Sequence, residues 1–285
     1  MNTLKKILTT FIISTLCVAF TSNATPIVTD WAFIVDSAFT GFNPDDPDVT
    51  ASNNNTFWSS PTTLTWGTST GDGPSSLDVS SGNEGNGSTS GFLVTDGLSE
   101  LTSTLTHNNN PITGATLTNA VLSSSIFLNP IAPLNPYSVV SGGRPPALSF
   151  NINFKETVNS GNCADVTSPA DNKCNDIFVI NLLEAAQNGI GVSFDPLTNT
   201  LTQMFGIAEH TYRAEIAVEG LDTLADPVCA AAGAASGCVG ITTIEKQANP
   251  FDVRLRISLV PEPSSVLLMS LALFGIFASM RNKHI

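Results

Sequence analysis

The sequence predicts an all-β fold: a jelly-roll-like antiparallel β-sandwich between an N-terminal signal-peptide helix and a C-terminal transmembrane helix. Several segments alternate apolar and polar residues with period two, which is typical of strands buried on one face. Glycine, proline and small polar residues separate these segments. Neither a long amphipathic helix nor a tandem repeat is found, so many short strands are expected to build the core.

The predicted strands follow one another along the whole chain. Their aligned apolar residues are Trp31, Phe33 and Val35; Leu148, Phe150, Ile152 and Phe154; Tyr212, Ala214, Ile216 and Val218; and Phe251, Val253, Leu255, Ile257 and Leu259. Residues 177–183 form a shorter apolar run, typical of a central strand. Residues 71–91 and 129–146 are expected to form turns and loops, and residues 182–187 a short helix.

Composition and charge exclude one class of partner. The chain of 285 residues has a formal charge of −13, and its basic residues are few and scattered between the ends. Binding to nucleic acid needs clustered lysine and arginine to neutralise phosphates, so no nucleic-acid partner is expected. Charged residues make up only 12% and apolar residues 42%, which favours a folded chain over a disordered acidic one.

The N-terminus predicts export. Lys5 and Lys6 form a positive region, residues 7–20 are mostly apolar, and small residues precede a cleavage site after Ala24. This order is that of a secretory signal peptide, assigned to residues 1–24. Export places the mature chain in an oxidising compartment.

Four cysteines remain after the signal peptide: Cys163, Cys174, Cys229 and Cys238. Four cysteines allow three pairings, and the sequence alone does not choose among them. The local pairs would close two short loops rich in small residues, which suits disulfides in an exported protein. A zinc site with four cysteine ligands is the rival hypothesis, but neither local pair has the short spacing typical of such sites.

The C-terminal segment, residues 260–285, carries a charge-free run. Residues 264–280 are followed by Arg281 and Lys283. A helix of this length lies near the lower limit of about 17–25 residues for crossing a bilayer, and the basic end indicates a cytoplasmic C-terminus. A short membrane anchor is expected here.

The order Pro261-Glu262-Pro263, apolar helix and basic tail resembles the PEP-CTERM sorting signal. The resemblance implies processing by an exosortase, a membrane-embedded cysteine peptidase that acts near the Pro-Glu-Pro. Two prolines around one residue hold the backbone extended, which is the form a peptidase cleft binds. The membrane contact through the C-terminal helix would then last only until processing.

A second motif lies at Thr106-His107-Asn108-Asn109. With the PEP-CTERM end and an upstream segment holding two tryptophans, it resembles the THxN family of PEP-CTERM proteins. The resemblance implies a location and a domain type, without an established catalytic activity. His107 shares strand parity with Leu101 and Leu105, so it is expected to point toward the core, with the asparagines and Pro111 forming a turn.

Two metal hypotheses stay open beside a structural role for His107. His107 and His210 could form a two-histidine site, although a third ligand is not identified. Asp45, Asp46 and Asp48 could bind Ca²⁺, although their spacing matches no known calcium loop. A structural histidine and a solvated acidic loop are favoured, so no metal and no cofactor are expected.

No catalytic residues are predicted, because the sequence has no GxSxG elbow, no HExxH and no phosphate-binding glycine loop. Trp58 and Trp66 could stack on sugar rings if they are exposed. The chain is therefore divided into residues 1–24 (signal peptide), 25–259 (extracellular β domain) and 260–285 (sorting signal).

The expected function is that of a non-enzymatic protein at the cell surface or in the extracellular matrix of a Gram-negative bacterium. Family resemblance associates such proteins with exopolysaccharide and biofilm, where the role would be structural or adhesive. A carbohydrate-binding module is the alternative, and a polysaccharide-modifying enzyme is a third, less favoured reading. Exopolysaccharide is thus an expected partner, together with the exosortase during sorting.

Overall fold

A computed structural model describes residues 26–42, 50–52, 60–81, 88–132, 148–157, 174–180, 192–207 and 209–261. Across these ranges the chain is almost entirely strand, and every pair of strands formed by these residues is antiparallel. The all-β class and the antiparallel pairing predicted from the sequence are confirmed.

The strands are β1 (Asp30–Phe42), β2 (Thr50–Ser52), β3 (Thr63–Trp66), β4 (Thr68–Ser69), β5 (Ser75–Ser81), β6 (Ser88–Val94), β7 (Glu100–Asn109), β8 (Ile112–Thr113), β9 (Asn119–Ala132), β10 (Leu148–Lys155), β11 (Asp176–Ile180), β12 (Ser193–Asp195), β13 (Thr200–Ile207), β14 (His210–Val218), β15 (Asp222–Thr223), β16 (Val239–Thr243) and β17 (Gln247–Leu259). A short helix, α1 (Asp226–Ala231), lies between β15 and β16.

These strands form two large sheets and one small ribbon. The first sheet has the order β15-β16-β11-β10-β9-β1-β6, the second has the order β12-β13-β14-β17-β7-β5-β3-β2, and β4 pairs with β8. Apolar side chains from both large sheets meet in one core cluster, in which Phe33 and Ile152 of the first sheet join Leu105, Ile216 and Ile257 of the second. The hydrophobic effect of burying these facing apolar sides holds the two sheets together.

Strand β11 is apolar on both faces because it is covered on both. It lies between β10 and β16 in the first sheet. Phe178 points into the main core, whereas Ile177 and Val179 pack against Val228 of α1. A strand buried on both sides loses the polar–apolar alternation of a half-buried strand, which explains the continuous apolar run in the sequence.

Two predicted loop regions contain strands. Residues 71–91 include β5 and the start of β6, because Leu77 and Val79 alternate with serine and aspartate and point into the core. Strand β9 continues to Ala132, into the proline-containing region 129–146. The predicted helix at residues 182–187 lies outside the described residues. Helix α1 was missed in the sequence, where Pro227 at its first turn and Asp226 were its only signals.

Three aromatic rings join the two sheets at one end of the core. Trp31 of β1 makes edge-on contacts with Tyr212 and Phe205 of the second sheet, with centroid distances of 5.1 and 5.9 Å. The backbone N–H of Val28 donates a hydrogen bond of 2.8 Å to the Tyr212 hydroxyl, although Val28 and Tyr212 are both fully buried. A polar atom inside the core thus fixes where the chain enters the first sheet.

The described chain ends two residues after β17. Leu259 pairs with Tyr212, the backbone N–H of Val260 donates to the carbonyl of Thr211, and Pro261 is exposed. Across the residues whose structure is described, no helix has the length and apolar character needed to span a membrane. The predicted signal-peptide helix (residues 1–24) and the predicted transmembrane helix lie outside those residues.

Replacing Tyr212 with phenylalanine should lower the free energy of unfolding by about 1–2 kcal/mol, because the buried N–H of Val28 loses its acceptor while the ring contacts remain. Denaturant unfolding of the Tyr212→Phe variant measures this. Thr211→Val, an exposed change on the same strand, serves as the control and should have little effect. Equal stability of Tyr212→Phe and the wild type would contradict the role given to this hydroxyl.

Candidate functional site

The segment 106–109 lies at the end of β7, in the middle of the second sheet between β17 and β5. His107 and Asn109 point into the core and are fully buried, whereas Thr106 and Asn108 are half-buried on the other face. The two pairs of side chains therefore contact different parts of the molecule.

The inward pair binds β16 of the opposite sheet. Nδ1 of His107 lies 2.9 Å from Oγ1 of Thr243, and Nδ2 of Asn109 donates to the carbonyl oxygen of Thr243 at 3.3 Å. Thr243 is itself fully buried. These hydrogen bonds connect the two sheets through the core, as does the buried hydrogen bond from the hydroxyl of Thr89 in β6 to the carbonyl oxygen of Thr102 in β7.

The segment is also held by its neighbouring strands. Asn108 donates through Nδ2 to Ser76 and Asp78 of β5, at 2.9 and 3.0 Å. Nδ2 of Asn249 in β17 lies 3.3 Å from the carbonyl oxygen of His107. These contacts tie the segment to both of its neighbouring strands.

The segment departs from the sequence prediction in two respects. Asn108 and Asn109 belong to the strand and not to a turn, which begins only after them. Thr102 forms a bulge opposite Val253 and Arg254 of β17, so His107 keeps the parity of Leu105 but not that of Leu101. A bulge inserts one residue and reverses the side-chain alternation beyond it.

Trp66 of β3 covers His107. The two rings stack at a centroid distance of 5.5 Å with an interplanar angle of 15°, and Phe154 and Phe178 of the first sheet meet the imidazole edge-on. Trp66 is fully buried, so it does not meet the condition for stacking on a sugar. That hypothesis is wrong for Trp66, whose indole packs in the core; Trp58 lies outside the described residues.

Burial lowers the pKa of His107 from 6.5 to about 3, so the imidazole is neutral at physiological pH. The structure does not bring His107 and His210 together. His107 pairs with Asn249 near the start of β17, whereas His210 lies beyond Leu259 at its other end, roughly 30 Å away for a strand of this length. The two-histidine metal hypothesis is therefore wrong.

Three carboxylates converge beside Trp66. Glu156 follows β10, Asp176 begins β11 and Glu245 follows β16, so antiparallel pairing brings all three to the same end of these neighbouring strands in the first sheet. Each carboxylate contributes an oxygen to a group whose members lie within 4.8 Å of one another. Asp176 is fully buried and Glu245 is 6% exposed, whereas Glu156 is half-buried and connects the group with solvent.

Two N–H donors orient this cluster. The indole N–H of Trp66 donates to Oε2 of Glu156 at 3.1 Å, and the backbone N–H of Thr157 donates to Oδ1 of Asp176 at 2.7 Å. The other oxygens, Oε1 of Glu156 and Oδ2 of Asp176, are buried and accept no hydrogen bond. Each of these two carboxylates is thus held by one oxygen and presents the other.

The acidity of the cluster is perturbed by its surroundings. Burial, reinforced by the negative charge of Glu245, raises the pKa of Glu156 to about 7, against a lowering by the Trp66 hydrogen bond. Burial and the neighbouring Glu156 raise the pKa of Asp176 well above its ordinary value. Between described residues, neither Glu156 nor Asp176 forms an ion pair with lysine or arginine.

The sequence did not reveal this cluster, because its three members lie far apart along the chain and match no metal-binding spacing. The one local signal is Asp176, an acidic residue directly before an all-apolar central strand. Its proximity to Glu156 and Glu245 depends on the pairing of β10, β11 and β16, which residue spacing does not encode.

The described cysteines form disulfides. Cys229 and Cys238 are bonded to each other, with a Cα–Cα distance of 5.8 Å, and Cys174 is also disulfide-bonded. The local pairing is confirmed for Cys229 and Cys238, and the four-cysteine zinc hypothesis is wrong because bonded sulfurs are not thiolate ligands. Cys163 lies outside the described residues, as do Asp45, Asp46 and Asp48.

Comparison with known proteins adds one match. The family model for the PEP-CTERM protein-sorting motif matches residues 259–282, beginning at the last residue of β17. Pro261 of the motif is exposed, and Glu262 and Pro263 lie outside the described residues. The motif implies export and exosortase-dependent sorting to the cell surface. No curated protein matches the chain.

The low pKa of His107 predicts a pH-dependent loss of stability. The unfolded chain gains a proton on this histidine below about pH 6.5, whereas the folded chain stays neutral until about pH 3, so stability falls with decreasing pH in this window. The unfolding free energy of the wild type minus that of His107→Gln should fall by about 1.4 kcal/mol per pH unit below pH 6.5.

The subtraction removes the contributions of Glu156 and Asp176, which both proteins share. Urea unfolding at a series of pH values measures the difference. His210→Gln is the control, since His210 lies at the far end of the sheet. A difference between wild type and His107→Gln that stays constant over this range would show that His107 is not buried as a neutral imidazole.

Proposed function

We propose that the chain is a non-catalytic structural or adhesive protein of the bacterial surface, delivered there by an exosortase and working in an exopolysaccharide or biofilm matrix. The observation that carries the proposal is the sorting motif at residues 259–282. In this proposal residues 1–24 direct export, and the apolar C-terminal helix holds the chain in the inner membrane until processing near Pro261. The proposal includes membership of the THxN family, on the basis of the residues 106–109.

The position of the motif supports processing without damage to the domain. Strand β17 ends at Leu259, and the hydrogen bond from Val260 to Thr211 follows it. Pro261 is exposed immediately afterwards, and proline has no N–H to pair with the sheet. A cut at or beyond this residue would leave every strand pair of β17 intact.

The architecture of the domain supports a structural role. Two large antiparallel sheets with a shared core, disulfides and inter-sheet hydrogen bonds are suited to persistence outside the cell. The polar residues 106–109 of β7 form hydrogen bonds with other strands, and two of the three carboxylates in the cluster are buried. This favours a structural part over an enzyme.

A carbohydrate-binding module remains the alternative reading. With Trp66 in the core, sugar stacking would fall to Trp58. Binding on a glycan array that is lost in Trp58→Ala, with the unfolding midpoint unchanged, would favour the module over the structural role.

The sorting step predicts that Glu262→Ala blocks processing, because the acidic residue between the prolines is part of what the peptidase recognises. The variant should accumulate at full length in the membrane fraction, whereas the wild type appears in the surface fraction without its C-terminal helix. Intact mass spectrometry of both fractions measures this. Glu219→Ala, an acidic change outside the motif, is the matched control. Unchanged surface delivery and mass of Glu262→Ala would contradict the role given to the motif.

A further inference from the structure

The carboxylate cluster of Glu156, Asp176 and Glu245 poses an electrostatic problem within the fold. Three acidic groups lie within 4.8 Å of one another, and two of them are buried from solvent. Buried like charges repel strongly, and a buried charge is normally balanced by an opposite charge. Among the described residues, no lysine or arginine forms an ion pair with Glu156 or Asp176.

Asp176 supplies a second observation that points to a ligand. It is fully buried, and its Oδ1 is held by the N–H of Thr157, while Oδ2 is buried without a hydrogen-bond donor, and one oxygen of this carboxylate lies within 4.8 Å of oxygens of Glu156 and Glu245. A buried carboxylate oxygen without a donor is costly, and a bound cation is one way to offset that cost. Oε1 of Glu156 is in the same situation.

We propose that Glu156, Asp176 and Glu245 bind one Ca²⁺ ion, which neutralises the cluster and ties together the ends of β10, β11 and β16. Carboxylate oxygens are hard donors, which Ca²⁺ prefers and which suit Zn²⁺ or Cu²⁺ less well. Calcium–oxygen distances of about 2.3–2.6 Å let a single ion contact oxygens as far apart as those of the cluster.

Calcium fits the surroundings better than magnesium. Mg²⁺ demands a nearly ideal octahedron at about 2.0–2.1 Å and keeps several of its waters, whereas Ca²⁺ accepts irregular carboxylate sets. Glu156 is half-buried, so water could complete the coordination from its side. In this proposal Trp66 and Thr157 are positioning residues, because their N–H groups each hold one oxygen of a ligand and leave the other for the ion.

The rival for these carboxylates is acid–base catalysis. Two carboxyl groups with raised pKa values resemble a catalytic pair, but a substrate must reach both of them. Asp176 has no exposed surface and Glu245 is only 6% exposed, so an ion can reach the cluster whereas a sugar ring cannot.

Thermal unfolding of the full chain in detergent tests the proposal. After treatment with EDTA and its removal, CaCl₂ at about 10 mM, which is roughly 10–100 times the Kd of extracellular calcium modules, should raise Tm by roughly 3–10 °C. MgCl₂ at the same concentration should give less than half of this shift, and titration calorimetry should give one Ca²⁺ per chain. No change in Tm with CaCl₂, or an equal response to MgCl₂, would overturn the proposal.

The variant Asp176→Asn should separate a calcium ligand from a merely structural residue. A neutral amide relieves the like-charge repulsion in the cluster, so the EDTA-treated variant should be as stable as the wild type or more stable, and the calcium-dependent rise in Tm should disappear. Asp222→Asn changes an exposed aspartate on the edge strand β15, outside the cluster, and should keep that rise. An unchanged calcium response of Asp176→Asn would overturn the assignment.

Terbium luminescence gives a readout that does not depend on stability. Tb³⁺ substitutes for Ca²⁺, and ions in this cluster would lie within a few ångströms of the indole of Trp66. Tryptophan excitation should therefore sensitise terbium emission, CaCl₂ should compete it away, and Trp66→Phe should lose most of it, while Trp31→Phe keeps it. Emission retained in Trp66→Phe would place the ion elsewhere. Surface delivery plays no part in these measurements, so their outcome is independent of the proposed function.

Discussion

The hydrogen bond between His107 and Thr243 is the interaction on which the centre of the molecule depends. Two sheets that meet through apolar side chains can slide over one another at little cost, since the hydrophobic effect has no direction. A buried polar pair has a direction, because each partner left alone would be an unsatisfied group in the core. His107 and Thr243, with Asn109 on the carbonyl of Thr243, therefore favour one relative position of the sheets, and the buried hydrogen bond from Thr89 to the carbonyl of Thr102 adds to this.

The same contacts position the carboxylate cluster. Trp66 stacks on His107 with its ring and holds Glu156 with its indole N–H, and Thr243 lies two residues before Glu245 at the end of β16. Thr243 is also paired with Asp176 across the sheet. His107, a candidate metal ligand in the sequence, thus helps to position the residues around the cluster. The residues able to hold an ion are the acidic ones arranged around it.

Sequence periodicity predicted strands such as β14 and β17, in which one buried face makes apolar and polar residues alternate. It did not predict β5, because serine dominates that strand and only Leu77 and Val79 carry the apolar signal. The parity of His107 with Leu105 predicted that its side chain points inward. The parity did not predict its hydrogen-bond partner Thr243, because that contact joins different sheets. The carboxylate cluster was missed for the same reason: its members meet only through the order of strands in the sheet. The sorting motif was recognised because its residues are contiguous.

A double-mutant cycle between His107 and Thr243 tests the central claim most directly. Unfolding free energies of His107→Ala, Thr243→Val and the double variant should show a coupling of about 1–2 kcal/mol, because losing either partner removes the same inter-sheet bond. Substitutions at Thr106 and Thr242, the half-buried neighbours of these two residues, are the control, and their effects on the unfolding free energy should be additive. Effects at His107 and Thr243 that add to within about 0.3 kcal/mol would contradict the account.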